Sequence, residues 1–234
     1  MIVLALDASG PVTGVSIVAG DAGPSSLHLA GRGRHAANIG DAAGVLVEAA
    51  GVRPEDIGLV AVGCGPGSFT GLRVAMGFAK GFAFGHRTPL VGVSSLAACA
   101  APACVEGTFV LAVADARMGE VYAGLFTAGG GGEIPAAVSA EAAVSIDGIG
   151  DWLDSALPPG QEVLLVGDGV DRVAEKLGCR TSGPVARIAP AELQTAPRAE
   201  AVARLGEWTF RVDGPADPEA LDPTYIRPGP GGVR

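Results

Sequence analysis

The chain has 234 residues, of which 48% are hydrophobic and 18% charged, and it carries a formal net charge of −9. That length allows one large core or two smaller domains, and the mean hydropathy of +0.39 supports burial of a sizeable core despite 37 Gly and 17 Pro. An acidic chain with two lysines and no run of Lys or Arg repels phosphate, which excludes unaided nucleic-acid binding as its main role.

Residues 2–6 are apolar and meet a turn at Asp7-Ala8-Ser9-Gly10, so they read as a first strand rather than a signal peptide. Val12–Val18 alternates as a second strand, and Leu27–Ala30 reads as a third. Residues 35–50 read as a helix, with Ile39, Ala42, Ala43, Leu46 and Ala50 on one face. Ile57–Val62 is a buried strand. A Gly-rich turn, residues 63–71, then opens a helix from about Leu72 to Phe84. Leu90–Val93 is a further strand, and Ser94-Ser95 caps a short helix.

A second part begins near residue 106. Phe109–Ala114 and Val121–Phe126 form a hairpin around Asp115-Ala116-Arg117-Met118-Gly119-Glu120. A short helix about Ile149–Leu157, a strand at Glu162–Val166, a helix over Asp168–Leu177 and a last helix over Ala199–Arg211 follow. The tail from Gly214 holds five prolines and reads as an extended lasso. The order within 1–105 is β-β-β-α-β-α-β-α; residues 106–211 read as a trimmed and divergent copy of it, and 106–234 as a smaller second lobe that includes the tail. Two such lobes, each opening with antiparallel strands and continuing with crossover helices, describe the actin-like architecture of sugar kinases and Hsp70 ATPases.

No uninterrupted apolar stretch reaches 18 residues, so no membrane helix is expected. Cys64, Cys99, Cys104 and Cys179 form no CxxC and have no His at ligand spacing. They read as free thiols of a cytoplasmic protein.

The strongest local signal is Gly65-Pro66-Gly67-Ser68-Phe69-Thr70-Gly71-Leu72-Arg73, between a buried strand and a helix. Such a loop can turn backbone N–H groups toward an anion, although it lacks the Gly-Lys-Ser/Thr of a Walker loop. It also reads as a tight strand-to-helix turn with Ser68 or Thr70 as N-cap, the reading these residues favour on their own. In the helix behind it, Ala75, Ala79 and Ala83 make one small-residue row, and Gly77, Gly81 and Gly85 make another. Either row permits close approach of the chain's own helix at 35–50 or of a second subunit. His35 has Ile39, not a second His, one turn on, so it reads as a solvated or capping residue rather than a metal ligand. Asp7 ends the first strand where actin-like proteins place an acid near a metal; it reads equally as a turn cap.

Four blocks in chain order carry a family resemblance. They are the Gly65–Arg73 loop, Val91-Gly92-Val93-Ser94-Ser95-Leu96, Asp115-Ala116-Arg117-Met118-Gly119-Glu120-Val121-Tyr122 and Pro223-Thr224-Tyr225-Ile226-Arg227. Together they resemble the TsaB (YeaZ) family. The resemblance implies a non-catalytic subunit of the bacterial complex that makes threonylcarbamoyladenosine next to the tRNA anticodon. It implies docking on the catalytic subunit TsaD through the first two helices, recruitment of the ATPase TsaE, and contact with tRNA only within the complex. ATP, ADP and metal would belong to the partners, and the isolated chain would pair with itself. The expected interface residues are His35, Ile39, Ser68, Phe69, Arg73, Met76, Gly77, Lys80 and Gly81. The competing readings are an actin-like small-molecule kinase and a metallopeptidase.

Overall fold

The computed structural model describes residues 1–20, 23–30, 38–129, 134–179, 181–190 and 199–226. It divides into two compact units. Residues 1–98 and 197–225 form the first, and residues 99–196 and 226–234 the second.

The first unit is built on a five-stranded mixed sheet. Strands β1 (Ile2–Asp7), β2 (Val12–Ala19) and β3 (Pro24–Ala30) are antiparallel. Strands β4 (Leu59–Gly63) and β5 (Leu90–Val93) then add in parallel beyond β1, giving the order β3-β2-β1-β4-β5. The two parallel additions need crossovers, and helices α1 (Ile39–Ala49) and α2 (Phe69–His86) supply them. Both crossovers pack on one face of the sheet. Leu4, Leu6, Val15, Ile17, Val60 and Val62 meet Ile39, Leu46, Ala75, Met76 and Ala79 there. Helix α3 (Ser95–Ala100) follows β5, and the Ser94 hydroxyl accepts from the Ala97 N–H at 3.0 Å to cap it.

The second unit repeats the pattern. Strands β6 (Phe109–Arg117) and β7 (Glu120–Ala128) form the hairpin; β8 (Pro135–Ala137) and β9 (Ala142–Ser145) both pair with β7. Strands β10 (Glu162–Val166) and β11 (Val185–Ile188) extend the sheet in parallel on the other side of β6, giving β11-β10-β6-β7-β8. Helices α4 (Ile149–Ala156) and α5 (Val170–Gly178) cover it with Leu153, Val170, Val173 and Leu177. With β6 standing for β1, the two sheet orders match strand by strand, which is the actin-like repeat expected from the sequence.

Three expectations need correction. Residues 199–225 do not belong with the second part. Helix α6 (Ala199–Asp213) lies on the opposite face of the first sheet, against β1, β2, β4 and β5. Gly206 and Gly14 make that contact possible, because a Cβ at either would press on Ala61 or Ala199 respectively. The extended segment after it stays with the same unit. The Ala216 N–H donates to the Leu90 carbonyl at 2.8 Å, the Thr224 N–H donates to the Cys64 carbonyl at 2.7 Å, and Leu221 packs into the first core. Second, α2 is longer than expected, starting at the Ser68 cap and ending where Arg87 turns left-handed at φ 54°. Third, β8, β9 and β11 escaped the sequence reading because they are short and largely unburied, with little apolar alternation.

Candidate functional site

The carboxyl ends of β1 and β4 hold the Asp7 turn and the Gly-rich loop. Asp7 is fully buried. Its Oδ1 accepts from the Ser9 N–H at 2.8 Å and the Ser9 hydroxyl at 2.6 Å; its Oδ2 accepts from the Ser95 hydroxyl at 2.7 Å. Burial pushes its pKa above the ordinary 3.8, and the serine donors pull part of the way back. The Ser95 oxygen also accepts from the Gly65 N–H at 3.1 Å, which ties the acid to the loop.

Two further donors of the loop are turned inward as well. The Ser68 N–H donates to the Ser9 carbonyl at 2.7 Å, and the Gly71 N–H to the Ser68 hydroxyl at 3.3 Å. A Cβ at Gly67 would run into the Ser9 backbone, and one at Gly71 into the Ala8 carbonyl oxygen. These glycines are therefore required for backbone-on-backbone contact with the Asp7 turn. Of the two readings left open by the sequence, the structure gives the tight turn, capped by Ser68. Cys64 beside it is buried, and burial with the nearby Asp7 charge pushes its thiol up to about 12, so it is inert at neutral pH.

The matching ends of β6 and β10 carry Asp115 and Asp168. The Asp115 Oδ1 accepts from the Arg117 N–H at 2.8 Å, and its Oδ2 pairs with Arg172 at 2.9 Å. Burial raises the Asp168 pKa, and the Asp115 charge adds to that. Arg172 is thus an ion-pair partner of Asp115 in this turn. Among the described residues no group of three or more His, Cys, Asp or Glu side chains could hold a metal.

The outer face of α2 is different in kind. Its Ala75, Ala79 and Ala83 row is buried against the sheet and α1. The glycine row points the other way: at Gly77, Gly81 and Gly85 an added Cβ meets nothing within 4 Å among the described residues. The close-approach explanation through the chain's own helix therefore applies to the alanines and not to these glycines; at α1 it is Gly40 that admits Phe78. Beside the glycines stand Arg73, Lys80 and the exposed Phe84, and on α1 the exposed Gly44, Val45 and Glu48.

The structure separates the nine expected interface residues. Phe69, Arg73, Gly77, Lys80 and Gly81 share the outer face, and Ser68 is the exposed cap at its start. Ile39 is corrected: it is 2% exposed, because its helical phase matches Ala42, Ala43 and Leu46 and sends it into the core. Met76 is 4% exposed and lines a groove floor rather than the surface. His35 lies outside the described residues. Sequence reasoning missed the groove's second wall, Asp222, Pro223 and Tyr225. The block containing Pro223 and Tyr225 was visible in the sequence, but its contact with Arg73 spans 152 positions.

A family model described as "TsaD: tRNA N6-adenosine threonylcarbamoyltransferase" matches residues 29–194. The curated tRNA threonylcarbamoyladenosine biosynthesis protein TsaB of Bacillus subtilis is 28% identical over 231 residues, covering 97% of this chain and 94% of that protein. TsaB of Escherichia coli is 47% identical over 79 residues, a local match spanning 33% of this chain and 34% of the relative. The solved structure of YeaZ from Pseudomonas aeruginosa superposes with a TM-score of 0.79 at 27% identity, covering 96% of this chain and 99% of that one. The chain belongs to the family of that model, and within it to the TsaB/YeaZ group.

Proposed function

We propose that the chain is a non-catalytic accessory subunit in the formation of threonylcarbamoyladenosine in tRNA, and that it acts by docking on the catalytic subunit TsaD. The similarity along nearly the whole length of a TsaB protein supports the process. The outward glycine row of α2 carries the docking role. Interior helical Gly costs about 1 kcal/mol relative to Ala, and Gly77 and Gly81 meet no neighbour among the described residues that would require them. A partner helix lying along the row is what the missing side chains admit.

In this reading α1 and α2 pack on the matching helices of TsaD, TsaE joins the pair, and tRNA is reached only through the complex. ATP, ADP and metal are held by the partners. Alone, the same face pairs with a second copy in the cytoplasm. The non-catalytic part is supported by Asp7 and the loop. A small-molecule kinase would turn that carboxylate and those amides toward its ligand; here Asp7 accepts from Ser9 and Ser95, and the Ser68 and Gly65 amides donate to the Ser9 carbonyl and the Ser95 hydroxyl.

The test is capture of the cognate TsaD by Gly77→Glu and Gly81→Arg. Both positions are open, so both variants should keep the native circular dichroism. Each should lose capture, because it blocks backbone approach and buries an unpaired charge. A folded variant that captures TsaD normally refutes the assignment.

A further inference from the structure

Helix α2 and the carboxy-terminal strap enclose a groove of about 380 Å³, with Arg73, Gly77 and Lys80 on one side and Asp222 and Tyr225 on the other. Its two cations are held differently. Among the described residues, the one acidic side chain lining the groove, Asp222, stands 3.6 Å from Lys80. Arg73 is held by aromatic groups. Its guanidinium lies 3.9 Å from the Phe69 ring centroid, and its Nε donates to the Tyr225 hydroxyl at 3.0 Å. The two rings are themselves 5.3 Å apart. An arginine stacked on one face and tethered at Nε has given up its rotamer freedom in advance. A planar guanidinium fixed in this way favours two-point pairing with a carboxylate.

The surrounding charge has a direction. The charged residues of α2 are Arg73 and Lys80, both basic, whereas α1 exposes Asp41 and Glu48. The face is thus positive along one helix and negative along the other, in a chain whose net charge is −9. Gly77, one turn from Arg73, leaves room for an incoming helix at that point.

We infer that this groove is a socket for an acidic side chain of the docking partner. A partner helix crosses Gly77 and seats a carboxylate on Arg73, and Tyr225 is the positioning residue that holds the guanidinium in place. The inference rests on the docking role proposed above and adds what the face recognises and which way round it is read. The strap is then part of the docking surface, anchored through Thr224 and Leu221.

The experiment measures affinity for the cognate TsaD at low and high salt, using the full chain. Arg73→Ala should weaken binding at least tenfold at low salt and flatten the salt dependence. Tyr225→Phe, which keeps the ring and loses the hydroxyl, should weaken it severalfold with circular dichroism unchanged. If Gly77→Glu abolishes binding while Arg73→Ala stays within twofold, the socket is wrong and the docking role stands. If Gly77→Glu binds normally, the docking role itself fails. The chain alone is also titrated with MgATP and with inorganic phosphate. No saturable binding is expected; binding that Arg73→Ala removes would make the groove a phosphate site and overturn the inference.

Discussion

Replacing Gly77 and Gly81 by Ala separates a glycine kept for a partner from one kept for the fold. In an exposed helix interior, Gly is about 0.8–1.0 kcal/mol less favourable than Ala. Among the described residues, no atom outside the helix's own backbone lies within 4 Å of where either new Cβ would stand, so no clash offsets the gain. The two positions are one turn apart, but a methyl group has no further atoms through which to couple, so the changes together should give about 1.6–2 kcal/mol. For a chain of this size that corresponds to a rise in Tm of roughly 3–8 °C. Urea or thermal unfolding of the isolated chain, followed by circular dichroism, reads it directly. The same double variant should bind TsaD more weakly, because two methyl groups stand where a partner backbone has to approach. A fall in Tm would show that the row packs within the chain, and unchanged TsaD affinity would show that it is not kept for docking.

Gly71, two turns earlier in the same helix, should respond with the opposite sign. Gly71→Ala drives a Cβ onto the Ala8 carbonyl and should cost about 1–3 kcal/mol in urea unfolding, whereas a neutral result would mean the Asp7 turn moves aside freely. Asp7 makes a pH prediction. Because burial raises its pKa above 3.8, the folded chain holds that proton more tightly than the unfolded chain, so its contribution to stability is greatest below 3.8 and declines as pH rises toward the folded value. Asn cannot lose that proton, so the stability of Asp7→Asn relative to the native chain should improve between pH 4 and pH 7; a difference that does not move with pH would refute the shift.

The order of elements up to residue 98 is legible in the local pattern. Strands β1, β4 and β5 are short apolar runs bounded by Gly, Pro and Asp, and the Ala75, Ala79, Ala83 row gives α2 an inner face at helical spacing. The Gly65–Arg73 block marked the strand-to-helix turn because its glycines are local requirements of the backbone.

Tertiary structure decided what depends on distant residues. A glycine has no side chain to reveal which way it faces, so only the packing of α2 on the sheet separates Gly71, pressed on Ala8, from Gly77, open to solvent. The loop's amides could have faced a ligand; Ser9, more than 50 positions earlier, takes one of them. The return of α6 and the strap to the first sheet depends on the fit of Gly206 against Ala61 and on hydrogen bonds to Leu90 and Cys64. The strap is polar and proline-rich, with little periodicity of its own. Its place is set by backbone groups and side chains more than 100 residues away, and local pattern carries no information about such pairings.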